Sequence, residues 1–153
     1  MEAYKTQLNE LLIGAYDSIR RLEERMLRQT HSMNLTIGEL HLIECIGKRK
    51  AAGCTISDLA KDLGITLPSV TVGIQKLEKK GFVQKSRSPK DKRSRYVVLT
   101  PLGERMDKVH RYFHRRMIDA LLKTMNTEEK EQLFRAMQRL NEFLISTLSS
   151  MRA

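Results

Sequence analysis

The sequence predicts a mainly α-helical protein with one short β-hairpin, in which long terminal helices flank a compact central domain. Three observations support this fold class. Apolar residues recur every three or four positions in segments 8–26, 102–121 and 133–151, as they do on one face of a helix. Two short helical segments within residues 55–80 are joined by a tight turn. After Gly81 the helical period is replaced by two segments typical of strands.

Capping signals place the first four helices. The first long helix has a narrow apolar stripe, and a second helix is expected to begin at the capping box Thr36-Ile-Gly-Glu39 and to run to about Gly47. A third helix opens at Thr55-Ile-Ser-Asp58 and ends at Gly64, and a fourth begins at Thr66 and ends at Gly81. The stripe of the first helix consists of Leu8, Leu12, Ala15, Ile19, Leu22 and Met26.

The second half of the chain reads as a hairpin followed by two long helices. Strands are predicted at 82–88 and 94–100 around a turn at 89–93. Thr100-Pro101 starts a helix that should reach about Met125, and Thr127 is predicted to cap the last helix. Their apolar stripes are Leu102, Met106, Val109, Phe113, Met117 and Leu121, then Leu133, Met137, Leu140, Leu144, Leu148 and Met151.

Composition and charge narrow the class of protein. The chain has 153 residues, 41% of them hydrophobic and 30% charged, which excludes both a disordered chain and a membrane protein. No secretory signal is recognised, so the cytoplasm is the expected location. The formal charge is +10, and residues 76–95 hold nine Lys or Arg against two acidic residues. A run of charges is usually only a solvated face, but the position of this one relative to the motifs described below favours a surface that meets a polyanion.

The outward face of the fourth helix has the composition of a surface that reads DNA bases. The third and fourth helices, with the small residue Ala60 where they must cross closely, form a helix-turn-helix. If Val70, Ile74 and Leu77 face the core, the helical period turns the opposite set outward. Hydroxyl and amide groups there can bond to base edges, valine can meet a thymine methyl, and lysines suit phosphates. The outward set is Pro68, Ser69, Thr71, Val72, Gln75, Lys76 and Lys79.

The hairpin is predicted to supply a second DNA contact. Its tip carries Lys90, Asp91, Lys92 and Arg93, and Arg87 and Arg95 flank it. We expect Arg93 to enter the minor groove, held by a charge-assisted hydrogen bond from its guanidinium to Asp91. The alternative is that Asp91 only makes the turn.

Residues 55–100 contain a Leu-Glu-x-x-Gly-hydrophobic run at 77–82 and an Asp-x-Arg tip at 91–93, and the chain continues as Leu99-Thr-Pro-Leu-Gly103. In these features, and in the order of its helices, the chain resembles the MarR family of winged helix-turn-helix regulators. The resemblance implies a homodimer with interlocked terminal helices and one winged domain on each half-site of a palindromic operator in double-stranded DNA. One departure is Val72-Gly73, where many members carry a polar or basic side chain.

The apolar stripes predict dimerisation independently of the resemblance. Three of them offer more apolar surface than a domain of about 65 residues can cover, so a second copy is the simplest partner. The alternative is a three-helix bundle within one chain. The domain organisation predicted is a dimerisation helix at 1–34, the winged domain at 35–100 and dimerisation helices at 101–153.

No convergent set of nucleophile, base and electrophile is recognised, so neither an enzyme nor a cofactor is expected. His110 and His114 lie four apart on one helix and could bind a metal, but a histidine pair facing a partner helix is commoner, and no metal is expected. Cys45 is interpreted as a core residue. Cys54 lies beside a basic loop, so a lowered thiol pKa and a redox switch are considered for it.

A narrower resemblance concerns the effector. Glu39-Leu-His41, Ile46-Gly47, residues 64–71 and His110-x-x-Phe113-His114-x-x-Met117 resemble the subgroup that represses bacterial fatty-acid synthesis genes. In that subgroup the co-repressor is an acyl carrier protein with a long acyl chain, which implies an effector site at His110, Phe113, His114 and Met117. The alternatives are a dimer core at these residues, a small phenolic or lipophilic ligand or an oxidant as effector, and a non-specific nucleic-acid-binding protein.

Overall fold

The computed structural model describes residues 1–30, 35–49, 53–87 and 95–151. It contains a two-stranded antiparallel sheet among helices, which confirms the predicted fold class. The elements in chain order are α1 Glu2–Gln29, α2 Ile37–Lys48, α3 Ile56–Leu63, α4 Leu67–Lys79, β1 Val83–Arg87, β2 Arg95–Leu99, α5 Pro101–Leu122 and α6 Thr127–Ser150.

The predicted caps of α2, α3 and α4 are confirmed. Thr36 and Thr55 each open a reciprocal capping box, with Glu39 and Asp58 respectively. Thr66 caps α4, and Gly64 ends α3 with a φ of 66°, a left-handed conformation that glycine adopts without steric cost.

The predicted cap of α6 is wrong by one residue. The cap is Asn126, whose side-chain oxygen accepts a hydrogen bond from the Glu129 amide at 3.0 Å, while the Glu129 carboxylate accepts one from the Asn126 amide at 2.8 Å. A capping box needs its acidic residue three positions after the cap. Asn126 meets that spacing with Glu129, so Thr127 becomes the first helical residue.

The core lies where α2, α3 and α4 meet the hairpin. Its completely buried side chains include Leu40, Ile43, Leu59, Val70, Ile74, Leu77 and Val97. The hairpin pairs Val83 with Leu99 and Arg87 with Arg95 at its two ends. Cys54 adds an isolated bridge to Val97, with backbone N to O distances of 3.1 and 2.8 Å. This bridge ties the segment before α3 to the hairpin.

A close approach between Gly103 and the backbone of Phe82 fixes the position of the start of α5. A Cβ atom at Gly103 would overlap the backbone carbonyl oxygen of Phe82. The Thr100 hydroxyl donates a hydrogen bond to the Gly81 carbonyl at 2.6 Å. Only glycine therefore allows the first turn of α5 to lie against the end of α4 and the start of β1.

The chain divides into two compact units, Met1–Arg111 and Tyr112–Ala153. In the first unit, the buried residues of α1 are Glu23, Met26 and Leu27, all near its C-terminal end. In the second unit, no residue of α6 is buried. Among the described residues, no helix combines the length and the hydropathy needed to cross a membrane.

Candidate nucleic-acid interface

The entry to α4 is fixed by its neighbours in sequence. The Ile65 amide donates to the Ala60 carbonyl at 3.1 Å, which closes the turn after α3. The Thr66 hydroxyl oxygen accepts a hydrogen bond from the Ser69 amide at 3.3 Å, and the two hydroxyl oxygens lie 2.8 Å apart. These hydrogen bonds fix the orientation of the first turn of α4 relative to α3. A helix that enters a DNA groove needs such a fixed orientation.

The two faces of α4 differ as the sequence predicts. Val70, Ile74 and Leu77 are completely buried. On the opposite face all the predicted residues are exposed except Thr71, which is half-buried and donates its hydroxyl to the Leu67 carbonyl at 2.9 Å. The exposed members are Pro68, Ser69, Val72, Gln75, Lys76 and Lys79. A polar, cationic helix face is thus presented on an apolar base.

Gly73 has a packing role that sequence reasoning did not identify. A Cβ atom there would lie 2.5 Å from Cδ1 of Leu42 in α2. The departure from the family pattern at this position therefore accompanies a close approach of α4 to α2. Leu67 is a second residue that the sequence analysis missed, since it is half exposed beside Pro68 and offers apolar surface. The sequence signal that could have identified Leu67 is its position directly after the capping residue Thr66.

The cations at the end of α4 are not equivalent. Lys80 bonds to both carboxylate oxygens of Glu39 at 2.8 Å, and Lys85 pairs with Glu78 at 2.7 Å. Burial opposes ionisation of Glu39, but hydrogen bonds from Lys80 and the Thr36 amide hold its pKa below the usual value. Within the described parts of the chain, Lys76 and Lys79 have no carboxylate within ion-pair distance. They are the lysines of α4 available for phosphates.

The wing is described only at its base. The backbones of Arg87 and Arg95 form the last pair of the hairpin, at the end from which the predicted tip would extend. Lys90, Asp91, Lys92 and Arg93 lie outside the described residues, so the predicted contact between Arg93 and Asp91 stays a prediction.

The expectation of a lowered pKa at Cys54 is wrong. Cys54 is completely buried, and burial raises the pKa of its thiol to about 11. The nearby Arg49 is engaged elsewhere, because its guanidinium bonds to Asp62 at 2.6 Å. Cys45 is buried as predicted, and burial followed by the charge of Asp62 raises its pKa as well.

A polar cluster lies where α1, α2 and α5 meet in the first unit, and we call it the Glu23 cluster. Its members are Glu23 and His110, which are buried, Glu44, which is half-buried, and His41, which is exposed. His110 is 1% exposed, and its Nε2 lies 3.0 Å from Oε1 of Glu23. The sequence analysis missed Glu23, although its spacing from Ile19 and Met26 puts this carboxylate on the buried face of α1.

The predicted effector residues are spread over α5. His110 belongs to the Glu23 cluster, whereas Phe113, His114 and Met117 are half-buried in the second unit. The rings of Phe113 and His114 meet edge to face with centroids 5.3 Å apart. In the first unit, a cleft of about 290 Å³ is lined by Ile46, Gly47, Val98, Leu99, Glu104, Asp107, Lys108 and Arg111.

Comparisons with known proteins agree with this arrangement. The MarR family model matches residues 35–94, the segment that contains α2, α3, α4 and β1. The HTH-type transcriptional regulator BilQ of Clostridium symbiosum is 33% identical over 109 residues, which cover 71% of this chain and 74% of BilQ. The uncharacterised regulator YhjH of Bacillus subtilis is 28% identical over 82% of this chain and 74% of its own.

Solved structures show the same fold. The FabT structure of Streptococcus pneumoniae, a complex with DNA, superposes with a TM-score of 0.88 at 31% identity, covering 94% of this chain and 99% of that one. The MepR–DNA complex of Staphylococcus aureus gives a TM-score of 0.72 at 21% identity, covering 88% and 96% of the two chains.

Proposed function

The chain belongs to the MarR family of transcriptional regulators, and from that premise we propose that it is a repressor which binds a palindromic operator as a homodimer. Because the family consists of DNA-binding regulators, the prediction that the chain is not an enzyme is confirmed. In the proposed division of labour, residues 35–100 bind DNA and residues 1–34 and 101–153 form the dimer.

The observation that carries the proposal is the outer face of α4. A helix of this width fits the major groove, where each base pair presents its own pattern of donors, acceptors and methyl groups. In this proposal Gln75 and Ser69 bond to base edges, and Lys76 and Lys79 contact phosphates. The FabT and MepR structures are complexes with DNA, which supports the same use of this fold here.

Exposed apolar surface supports the homodimer. Along α6, Met137, Leu144 and Leu148 are all more than 45% exposed. In α1, Leu8 and Leu12 are exposed to a similar degree. Stripes of this length seldom remain in water. Two-fold symmetry would place two copies of α4 on half-sites about one helical turn of DNA, roughly 34–36 Å, apart.

The experiment is a comparison of an operator with its scrambled sequence. DNA fragments bound by the protein would be selected from a random pool, and the enriched palindrome titrated with the full chain at several salt concentrations. We expect the operator to bind at least about a thousandfold more tightly than the scrambled duplex, with affinity falling steeply as salt rises. Equal affinity for both duplexes would contradict sequence-specific repression and favour a non-specific nucleic-acid-binding protein.

We further propose that the regulated genes serve fatty-acid synthesis and that a long-chain acyl carrier protein is the co-repressor. The FabT match, over nearly all of both chains, supports the proposed pathway, and the effector rests on the resemblance of residues 39–47 and 110–117 to that subgroup alone. Phe113 and Met117 would contact the acyl chain. Exposed basic side chains on α5 would attract the acidic carrier, namely Arg105, Lys108, Arg115 and Arg116.

The effector is tested by operator titration with acylated carrier protein and with the unacylated carrier as control. We expect the acylated form to tighten operator binding several-fold and Phe113→Ala to abolish that response while it still binds DNA. Equal effects of the two carrier forms would exclude this effector and leave the operator-binding proposal intact.

A further inference from the structure

An apolar residue, Val72, lies at the centre of the outer face of α4. The buried side of this helix is formed by Val70, Ile74 and Leu77. At about 3.6 residues per turn, Val72 points almost directly away from that side, and 48% of it is exposed. In a helix that enters the major groove, the residues of the N-terminal half come closest to the base edges. The side chain of α4 with the most direct access to the bases is therefore one that cannot form a hydrogen bond.

Two further residues extend this apolar surface. Leu67 is 50% exposed at the start of α4, and Pro68, which is also exposed, lies one turn before Val72. We call Leu67, Pro68 and Val72 the apolar patch. The Thr71 hydroxyl beside it donates to the Leu67 carbonyl at 2.9 Å, so its proton is not available to a base edge. Apart from the Ser69 hydroxyl, the first half of α4 therefore presents methyl and methylene groups.

We propose that the apolar patch recognises the C5-methyl group of thymine, so that each operator half-site carries at least one thymine opposite Val72. This inference rests on the proposed function, because it states what the first half of α4 reads in the operator. The thymine methyl is the apolar group that the major groove of unmodified DNA offers. Against any other base, Val72 would cover polar atoms and leave them without a hydrogen-bond partner, which is unfavourable. Val72 therefore selects an A·T pair at its point of contact.

The second half of α4 favours DNA over a protein as the occupant of the apolar patch. Gln75 follows Val72 by one turn on the same face, and Lys76 and Lys79 lie beyond it, all three exposed. A polyanion whose phosphates meet these lysines brings its bases against the patch. Val72 and Gln75 are about 4.5 Å apart along the helix axis, and stacked base pairs are about 3.4 Å apart. The thymine read by Val72 and the adenine that suits Gln75 should therefore lie within two base pairs of each other.

Replacement of thymine by uracil tests the methyl group alone, because every hydrogen-bonding group of the base pair stays in place. In the operator selected from the random pool, deoxyuridine would replace thymine at one symmetric pair of positions at a time, and the full chain would be titrated by fluorescence anisotropy. At the positions opposite Val72 we expect affinity to fall about fourfold for each methyl group, or about fifteenfold for the pair, from the transfer free energy of a buried methylene. At these positions 5-methylcytosine paired with guanine should bind more tightly than cytosine by a similar factor, since it restores the methyl group on a different base pair.

The variant Val72→Ala identifies the side chain that reads the methyl group. It should weaken binding to the thymine operator and abolish the difference between the thymine and deoxyuridine operators. Lys79→Ala is the matched control, because it should weaken both operators alike and keep that difference. Val72 is half exposed, so alanine should leave the fold intact, as circular dichroism would verify.

Two results would overturn the inference and leave the operator-binding proposal intact. One is a specific operator in which no thymine methyl affects affinity, and the other is a thymine–deoxyuridine difference that survives unchanged in folded Val72→Ala. The absence of any preferred operator would overturn the proposed function and this inference together.

Discussion

Gln75 and Lys79 lie one turn apart on α4, and both are exposed, yet their chemistry suits different parts of a DNA duplex. An amide carries one donor and one acceptor in a geometry that matches adenine, whereas an ammonium group bonds to any phosphate. We expect Gln75→Ala to cost about 1–3 kcal/mol at the operator and little on scrambled DNA. Lys79→Ala should weaken both duplexes alike and reduce the salt slope by about one. Fluorescence anisotropy over a range of salt would measure both effects, and a uniform loss in Gln75→Ala would remove it from base recognition.

Cys54 allows a pH-dependent prediction. With a pKa of about 11, only about one molecule in a thousand carries the thiolate at pH 8, and the thiolate is the reactive form. Native protein should therefore resist iodoacetamide at Cys54 and react fully once unfolded in guanidinium, as peptide mass spectrometry would show.

Because the Cys54 thiol has a higher pKa in the folded state than in the unfolded state, the stability that the neutral thiol contributes is complete below about pH 9. This contribution is lost as pH rises toward 11. Rapid alkylation of the native thiol at pH 8 would contradict the burial of Cys54.

At the level of single residues, sequence reasoning succeeds where the neighbours along the chain decide the outcome. The capping residues Thr36, Thr55 and Thr66 bond to amides three positions away, so spacing alone identifies them. Glu23 and His110 acquire their roles from one another across 87 positions, and no local pattern records that contact. The predicted lowered pKa of Cys54 is wrong for the same reason, since the burial of this thiol depends on a bridge to Val97.

The helix junctions depend on glycine. Since a Cβ at Gly103 would overlap the Phe82 carbonyl, and a backbone oxygen cannot rotate away as a side chain can, Gly103→Ala should destabilise the protein by about 1–3 kcal/mol or more. Gly38→Ala is the matched control, because nothing lies within 4 Å of a Cβ at Gly38 in the first turn of α2. Alanine there should be neutral or stabilising by up to about 1 kcal/mol. Urea unfolding of both variants would measure this, and equal stabilities would show that α5 can shift away from β1.

The helices and strands could be predicted because the spacing of apolar residues changes abruptly from one element to the next. The helical period of α4 ends just before Gly81, whose φ is +78°, and the strands that follow are one residue shorter at each end than predicted. The sequence predicts an end of α5 near Met125, but the helix ends at Leu122. Met125 lies four residues after Leu121 and so keeps the helical spacing beyond the last helical residue, which is why periodicity alone cannot locate the boundary.

At the scale of the whole molecule, the assembly depends on which surface covers the apolar stripes of α1 and α6. Periodicity predicted the stripes of α1 and α6, but it cannot distinguish a stripe that packs within the chain from one that packs on a second copy. In the structure of a single chain the α6 stripe stays exposed at Met137, Leu144 and Leu148. If α6 packs on a partner, a charge placed in the middle of this stripe must be desolvated in the dimer, at a cost of several kcal/mol.

Leu140→Glu should therefore convert the dimer to monomers, whereas Gln138→Glu adds the same charge on the other side of α6 and should leave the dimer intact. Sedimentation velocity at micromolar concentration would give the masses directly. Operator affinity should fall with the dimer, because a monomer contacts one half-site and loses the contribution of the second. Two results would contradict this account. A wild-type monomer would remove the basis for a palindromic operator, and a Leu140→Glu dimer with lowered thermal stability would place the α6 stripe inside one chain, as the three-helix-bundle alternative requires.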